Sequence, residues 1–491
     1  MTSVTRGLII GGREIPASSG RTTPDIAPWT GAPYAQVAAG TPEDVTRAVD
    51  AADAAAGPWA ALAPTRRRAI FLRAADLLEA RTPEAVALMA GEVGGAAPWA
   101  GFNAALAAGI LREAAAAITQ PTGQILATDT PGTYSMLVRV PVGVVAAIAP
   151  WNAPLILGVR AIAMPLAMGN TVVLKPSEDA PLACGLFLAD LLHEAGLPAG
   201  VLNVVTNDLA DAPQVVAALI ADPRVRLVNF TGSTAVGRRV GVLAAEHLKP
   251  AVLELGGKNA LVVLADADVD YAVDAAAFGS FMNSGQICMS ADRVIVHRDR
   301  AEEFTRKLAA KIKSLRHGDP SDPATVVGPV VSARAAQRVA ALIQDATAKG
   351  AQLLAGTGRV EGDAGALLAP VVLTGVTKDM DIYYGEIFGP ATVVHVVDSV
   401  DEAVDLANDT PYGLTAGVIT ENVAAGVAVA RRLRTGIVHV NDQTVADEPQ
   451  APFGGVKDSG YGRFGGQAGV DAFTDTRWIT VQAHGHAHYP F

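Results

Sequence analysis

The sequence predicts an α/β protein of two lobes, each a parallel sheet covered by helices on both faces. Three observations predict it. At 491 residues the chain is longer than one hydrophobic core organises. From Val144 onward, short β-branched runs alternate with longer helical stretches. A second series of the same kind begins at Ala260. Strand–helix alternation of this sort places parallel strands side by side and helices on the two faces, with ligands at the carboxyl ends of the strands. The two series meet near residue 255, and no repeat at a fixed period runs through them.

The elements follow in order. Thr41 to Gly57 is a helix, started by Thr-Pro-Glu-Asp, with Val45, Ala48, Val49 and Ala52 on one face. Helical patterning continues over Pro64 to Met89, broken near Thr82-Pro83, and over Trp99 to Ile118. The run Thr133 to Val140 is partly alternating and β-branched, an extended strand. In the first alternating series the strands are Val144 to Ile148, Thr171 to Leu174, Leu202 to Val205, Arg226 to Phe230 and Ala251 to Leu255. Between them lie helices over Ala153 to Met168, Pro181 to Ala195, Pro213 to Ile220 and Ala235 to Glu246. The second series has strands Ala260 to Leu264, Arg293 to His297 and Ala391 to Val397, with helices Val269 to Met282, Ala301 to Leu315 and Val331 to Lys349.

Composition excludes several classes. Half the residues are hydrophobic and 18% are charged, as in ordinary globular proteins. The longest apolar stretches are interrupted, by Pro150 and by Arg160, short of the roughly 20 residues a spanning helix needs. The Met1 to Gly7 start leads into no signal-peptide core. Two distant cysteines make neither a disulfide framework nor a zinc site, so a reducing cytoplasm and no metal are expected. A net charge of −11 with no Lys/Arg block argues against nucleic-acid binding.

Two segments have the chemistry of a dinucleotide site. Phe230-Thr231-Gly232-Ser233-Thr234 lies between a strand and a helix, where Gly232 and Ser233 present N–H groups and a hydroxyl to an anion, or simply cap the helix. Lys175-Pro176-Ser177-Glu178 ends a strand. There Lys175 can donate to ribose hydroxyls and Glu178 can accept from them, disfavouring a 2′-phosphate; a solvated turn is the alternative.

Three more residues suit covalent catalysis. Cys288, in Gly285-Gln286-Ile287-Cys288, is either a small buried residue or a nucleophile at a polar helix end. Cys184 lies in an apolar helix and belongs to the core. Glu254, opening Glu254-Leu255-Gly256-Gly257-Lys258, ends a strand beside glycines and is either a general base or half of an ion pair. Asn152 has a proline two positions away on each side, which suits a rigid oxyanion donor as well as a helix cap.

Together these segments resemble the aldehyde dehydrogenase superfamily over nearly the whole chain. Pro150-Trp151-Asn152, Lys175 to Glu178, Phe230 to Ser233, Glu254 to Lys258, Gly285 to Cys288, Glu386-Ile387-Phe388-Gly389-Pro390 and Pro452-Phe453-Gly454-Gly455 carry the resemblance in order. It implies two Rossmann-like α/β domains with a small β oligomerisation extension. The dinucleotide-binding domain is expected over 1–121 and 141–254, the catalytic domain over 255–458, and the extension and tail over 122–140 and 459–491. It implies that Cys288 is the nucleophile, Glu254 the base for the deacylating water, and Asn152 with the Cys288 N–H the oxyanion hole. Lys175 and Glu178 are then expected to hold the adenosine ribose and Ser233 the pyrophosphate, with Ser177 and Gly232 also among the cofactor-binding residues. Glu386 and Phe388 would position the nicotinamide end, and Gly256 is expected among the cofactor-binding residues. The cofactor implied is NAD, with NADP as the alternative, and the assembly a homodimer or homotetramer without nucleic-acid or membrane partners.

Local wording narrows the resemblance. Asn441 to Gln450 before Pro452-Phe453, the run Pro131 to Ser135 and the tail ending His488-Tyr489-Pro490 resemble bacterial benzaldehyde, vanillin and salicylaldehyde dehydrogenases. Arg160 and Phe453 are the candidate substrate residues. Arg160 interrupts an apolar helix and either donates to a ring substituent or the product carboxylate, or snorkels to the surface. His484, His486 and His488 alternate along the tail, on one face if it is a strand. The rival readings are a CoA-acylating enzyme, which Glu254 argues against, an aliphatic semialdehyde oxidiser, and a non-catalytic homologue.

Overall fold

In the computed structural model, residues 4–482, 489 and 491 are described. The tail histidines His484, His486 and His488 lie outside them. The first alternating series forms an eight-stranded sheet. Its inner strands run in parallel in the order Ala251–Glu254, Val225–Thr231, Val144–Ala149, Thr171–Pro176, Leu202–Val204. Antiparallel strands close both edges: Gly460–Tyr461 on one side, Leu8–Ile10 and Arg13–Ile15 on the other. Strand order reverses between Val144–Ala149 and Val225–Thr231, which opens a crevice at their carboxyl ends.

The second series forms a seven-stranded sheet in the order Gln352–Ala355, Val371–Thr374, Ala391–Val397, Arg293–His297, Ala260–Val263, Thr415–Ile419, Ile437–Val440. Only Gln352–Ala355 runs antiparallel. The inner strands of both sheets are almost continuous Val, Leu, Ile and Ala, as burial on two faces requires.

The linker from Glu254 to Ala260 sets how the sheets meet. It runs from the carboxyl end of one strand straight into the amino end of another. Carboxyl ends of the first sheet therefore face amino ends of the second. Asn152, Lys175 to Glu178, Gly232-Ser233 and Glu254 follow or end strands of the first sheet. Cys288 and Glu386 precede the strands Arg293–His297 and Ala391–Val397 of the second. The candidate residues thus lie at carboxyl ends in the first sheet and ahead of amino ends in the second.

Helix boundaries have local causes. At Pro42–Ala60, the Asp44 carboxylate accepts from the Thr41 N–H at 3.1 Å. Pro83 cannot donate within a helix, so Pro64–Ala80 ends and Thr82–Val93 begins around it. The expected helix over Pro181 to Ala195 opens as a wide turn, Leu182–Leu186, before the regular Phe187–Glu194. The cause is the buried Glu92 carboxylate, which accepts from Leu182 N at 2.6 Å and Ala183 N at 2.8 Å. Cys184 in that turn is fully buried.

Thr133–Pro141 pairs with Gly123–Leu126 and with Thr474–Gln482 in an antiparallel sheet. It leaves Ile125, Tyr134 and Trp478 exposed, Trp478 by 70%. Among the described residues, no helix is long and apolar enough to cross a membrane.

Candidate active site

The Cys288 loop is held in an unfavourable backbone conformation by bonds from all sides. After helix Val269–Phe281, Asn283, Ser284 and Gly285 all have left-handed φ, 49°, 57° and 69°. Side chains seldom adopt this conformation without compensation. Asn283 Nδ2 donates to the Asn152 carbonyl at 2.8 Å, and Ser284 Oγ to the Gly328 carbonyl at 2.8 Å. Gln286 Oε1 accepts from Val331 N at 2.8 Å. Gly285 has no substitute, because a Cβ there would stand 2.0 Å from the Gly389 carbonyl oxygen. Beyond the loop, Asn259 Nδ2 donates to the Cys288 carbonyl at 2.8 Å and the Ser290 carbonyl at 2.9 Å. Gly257 lets that strand approach, since a Cβ would meet the Cys288 oxygen at 2.6 Å. Cys288 is a free thiol that remains partly exposed.

Asn152 does not cap the helix Pro154–Ala167. Its Nδ2 donates to the Gln286 carbonyl at 2.9 Å, across the junction of the two sheets. Trp99 Nε1 fixes it from behind, donating to the Asn152 carbonyl at 3.0 Å. One side-chain amide hydrogen is left beside the Cys288 loop.

Glu254 is only 2% exposed, and neither carboxylate oxygen has a hydrogen-bond partner. Gly454 lies against it, where a Cβ would stand 2.6 Å from Oε1. Burial pushes its pKa up to about 8, against the pull of the Arg160 and Arg463 charges. It is no half of an ion pair. Burial also pushes the Cys288 thiol up, with Glu254 and Glu386 adding to the rise. Both shifts run upward, and titratable groups perturbed by burial and by each other mark a candidate functional site.

Arg160 does not reach the surface. It is 6% exposed, pairs with Asp447 and places its guanidinium 4.3 Å from the centre of the Phe453 ring. The second Asp447 oxygen, Oδ1, has no partner. Phe453 is itself fixed, exchanging backbone hydrogen bonds of 2.9 Å with Phe464 in both directions.

The other sequence-predicted residues follow strand ends of the first sheet or meet its linker to the second. Lys175 pairs with Glu178, which also accepts from Asn207 Nδ2 at 2.8 Å. Ser177 is partly exposed, and its Oγ accepts from Asp179 N at 3.3 Å. Ser233 caps helix Thr234–Glu246, accepting from Val236 N at 3.4 Å, while Gly232 N donates to the Glu254 carbonyl at 3.0 Å. Glu386 accepts from Gly257 N at 2.9 Å and packs on Gly256, where a Cβ would be 2.5 Å from its Oε2. Burial lifts the Glu386 pKa to about 7, with the Gly257 N–H opposing. Phe388 has a left-handed φ of 46° and meets Trp151 edge-on at 5.6 Å. Below them the fully buried Lys258 pairs with Asp292 at 3.2 Å, and Asp292 accepts from Ile387 N at 2.9 Å.

Sequence reasoning missed Asp447, Arg463, Asn259 and Asn283. Arg463 Nη1 donates to the Gly455 and Gly462 carbonyls at 2.6 Å each, which sets its charge near Glu254. Asn283, beside Gly285, carried a local signal, because Asn tolerates left-handed φ. Asp447 and Asn259 meet partners far away in sequence, and the charge of Arg463 matters only because the fold brings Glu254 near it.

A partly exposed thiol, a buried carboxyl and a fixed amide thus stand at the junction of two α/β sheets. The aldehyde dehydrogenase family model matches residues 15–479, and the chain belongs to that family, whose members act as oxidoreductases on aldehydes. It is 53% identical over 483 residues to vanillin dehydrogenase of Pseudomonas sp. (strain HR199 / DSM 7063), covering 98% of this chain and 99% of that one. It is 41% identical over 450 residues to benzaldehyde dehydrogenase [NAD(+)] of Pseudomonas putida, covering 91% of each. The crystal structure of a salicylaldehyde dehydrogenase from Pseudomonas putida G7 complexed with salicylaldehyde superposes with a TM-score of 0.96 at 41% identity, over 99% of this chain and 100% of that one.

Proposed function

We propose that this protein oxidises an aromatic aldehyde to its carboxylic acid through a thioester on Cys288. The observation that carries the reading is the pairing of a partly exposed Cys288 thiol with the buried, unpartnered Glu254 carboxyl. Cys288 gives up its thiol proton to solvent, its thiolate attacks the aldehyde carbon, and the resulting oxyanion takes hydrogen bonds from Asn152 Nδ2 and the Cys288 N–H. Removing such a donor typically costs about 10²–10³ in rate. Once hydride has left, the acyl group stays on Cys288 as a thioester. The ionised fraction of Glu254, which grows as pH rises toward about 8, takes a proton from water, the hydroxide adds to the acyl carbon, and the C–S bond breaks to return Cys288.

The crevice fits a nicotinamide dinucleotide, which when bound supplies the hydride acceptor. Lys175 has donors to spare, Glu178 keeps one oxygen free, and the buried Asn207 Oδ1 has no partner, a set suited to ribose hydroxyls. Ser177 stands beside them. Ser233 at the start of a helix suits the pyrophosphate, whereas the Gly232 N–H, expected to face the anion, is already given to the Glu254 carbonyl. Gly256, Glu386 and Phe388 would hold the nicotinamide end. Glu178 favours NAD over NADP by repelling a 2′-phosphate.

The aromatic preference rests on the buried Arg160 over Phe453, a donor beside an apolar wall, and on the names of the relatives. Exposed Tyr134 and Trp478 on the three-stranded sheet are the surface we assign to self-association. A panel of aromatic and aliphatic aldehydes, read by formation of reduced nicotinamide with NAD and with NADP, tests the reading. Highest kcat/KM is expected for hydroxylated benzaldehydes with NAD. A clear preference for aliphatic semialdehydes, for NADP, or for added CoA contradicts it.

A further inference from the structure

We propose that Asp447 is a positioning residue that holds the Arg160 cation away from Glu254 and so keeps Glu254 free to act as base; this rests on the Glu254 role proposed above. Arg160 is the one charged residue in the helix Pro154–Ala167, whose residues are all buried. A buried guanidinium seeks a carboxylate. Two are within its field, Glu254 and Asp447, and the structure gives it to Asp447. The Phe453 ring flanks the guanidinium and fixes its plane. Glu254 is left with both oxygens unpartnered by any side chain among the described residues, and burial outweighs the Arg160 and Arg463 charges and the Gly455 N–H that oppose it.

The charges around Glu254 come from several elements. Arg160 lies on its helix and Arg463 beyond the strand Gly460–Tyr461. Cys288 stands on its loop with Glu386 beyond it, and Asp447 follows the strand Ile437–Val440. His439 on that strand faces Asp447, and burial lowers its pKa, so it is neutral and no substitute cation. Neutralising Asp447 leaves Arg160 unbalanced. The cation then acts on, or turns to, the next carboxylate, which is Glu254. A Glu254 ion-paired to Arg160 is a weaker acceptor for the proton of water, and the hydroxide that breaks the Cys288 C–S bond forms more slowly.

The test is Asp447→Asn, isosteric and uncharged. Rapid-quench intact mass spectrometry follows loss of the acyl adduct from Cys288 across pH. The acid limb of deacylation is expected to move down by about one pH unit, the ordinary effect of one nearby charge. Alkylation of Cys288 by iodoacetamide at about pH 8 should become several-fold faster, because the same unbalanced cation lowers the thiol pKa. Asp447→Glu should restore the wild-type limb. In an Arg160→Met background, adding Asp447→Asn should move the limb clearly less, because only the direct repulsion between the two carboxylates is then lost. That pair of variants also serves should Asp447→Asn not fold alone. An unmoved limb in Asp447→Asn, or an equal shift with and without Arg160, overturns the inference. If Glu254→Gln deacylates at the wild-type rate, the base assignment falls and this inference with it. If Glu254→Gln is blocked but the Asp447→Asn limb does not move, this inference alone falls.

Discussion

Glu254→Gln should make the protein more heat-stable in alkali, although it removes a group from the centre of the site. Burial without a partner lifts the Glu254 pKa from an ordinary 4.5 to about 8. The folded chain therefore holds a proton that the unfolded chain releases. Stability from this source is complete below about pH 4.5, falls as pH rises, and is lost once pH passes about 8. At about 1.4 kcal/mol per pH unit, that span has a ceiling of about 5 kcal/mol. Water entering the crevice lowers the realised amount. Glutamine has nearly the same shape and no such loss. Scanning calorimetry at one heating rate, from about pH 5 to about pH 9, measures the effect. The melting temperature of the variant minus that of wild type should be near zero at about pH 5 and rise by a few degrees at about pH 9. A difference that stays flat, or a variant that melts below wild type at about pH 9, refutes the argument that burial holds Glu254 uncharged.

Two further substitutions probe the surrounding crevice. Gly256→Ala places a Cβ 2.5–2.8 Å from the Glu386 carboxyl group, so Glu386 must leave Gly257 N. A lost charge-assisted bond of about 1.5–3 kcal/mol predicts a 10-fold or greater rise in KM for NAD with little change for the aldehyde; an unchanged KM for NAD in steady-state assays counts against Glu386 as a cofactor residue. Arg160→Ala strips Asp447 of its partner at a cost of about 3–5 kcal/mol, seen in denaturant midpoints. It should also narrow the preference for hydroxylated over unsubstituted benzaldehyde about 10-fold, and unchanged discrimination removes Arg160 from substrate recognition.

The parts legible in the sequence are those whose cause is local. Val144–Ala149 and Thr171–Pro176 read as strands because burial on both faces leaves continuous apolar runs. The break at Thr82-Pro83 follows from proline itself. Short N-terminal strands such as Leu8–Ile10 and Arg13–Ile15 were not legible, since pairing at a sheet edge makes them strands and three residues carry no period. The same holds in the site. Cys288 and Glu254 announce themselves through neighbouring glycines, whose close approaches to Gly389 and Glu386 the structure explains. Asp447 does not, because its partner Arg160 is 287 positions away. Nor does the meeting of the two sheets, which the Glu254 to Ala260 linker decides.

The most direct test of the central claim is intact mass spectrometry of Glu254→Gln mixed with NAD and one equivalent of benzaldehyde. One reduced nicotinamide per chain and a chain heavier by one benzoyl group, mapped to Cys288 by peptide analysis, are the expected results. Benzoic acid released at the wild-type rate with no adduct on Cys288 would contradict the two-step account in which Cys288 forms the thioester and Glu254 ends it.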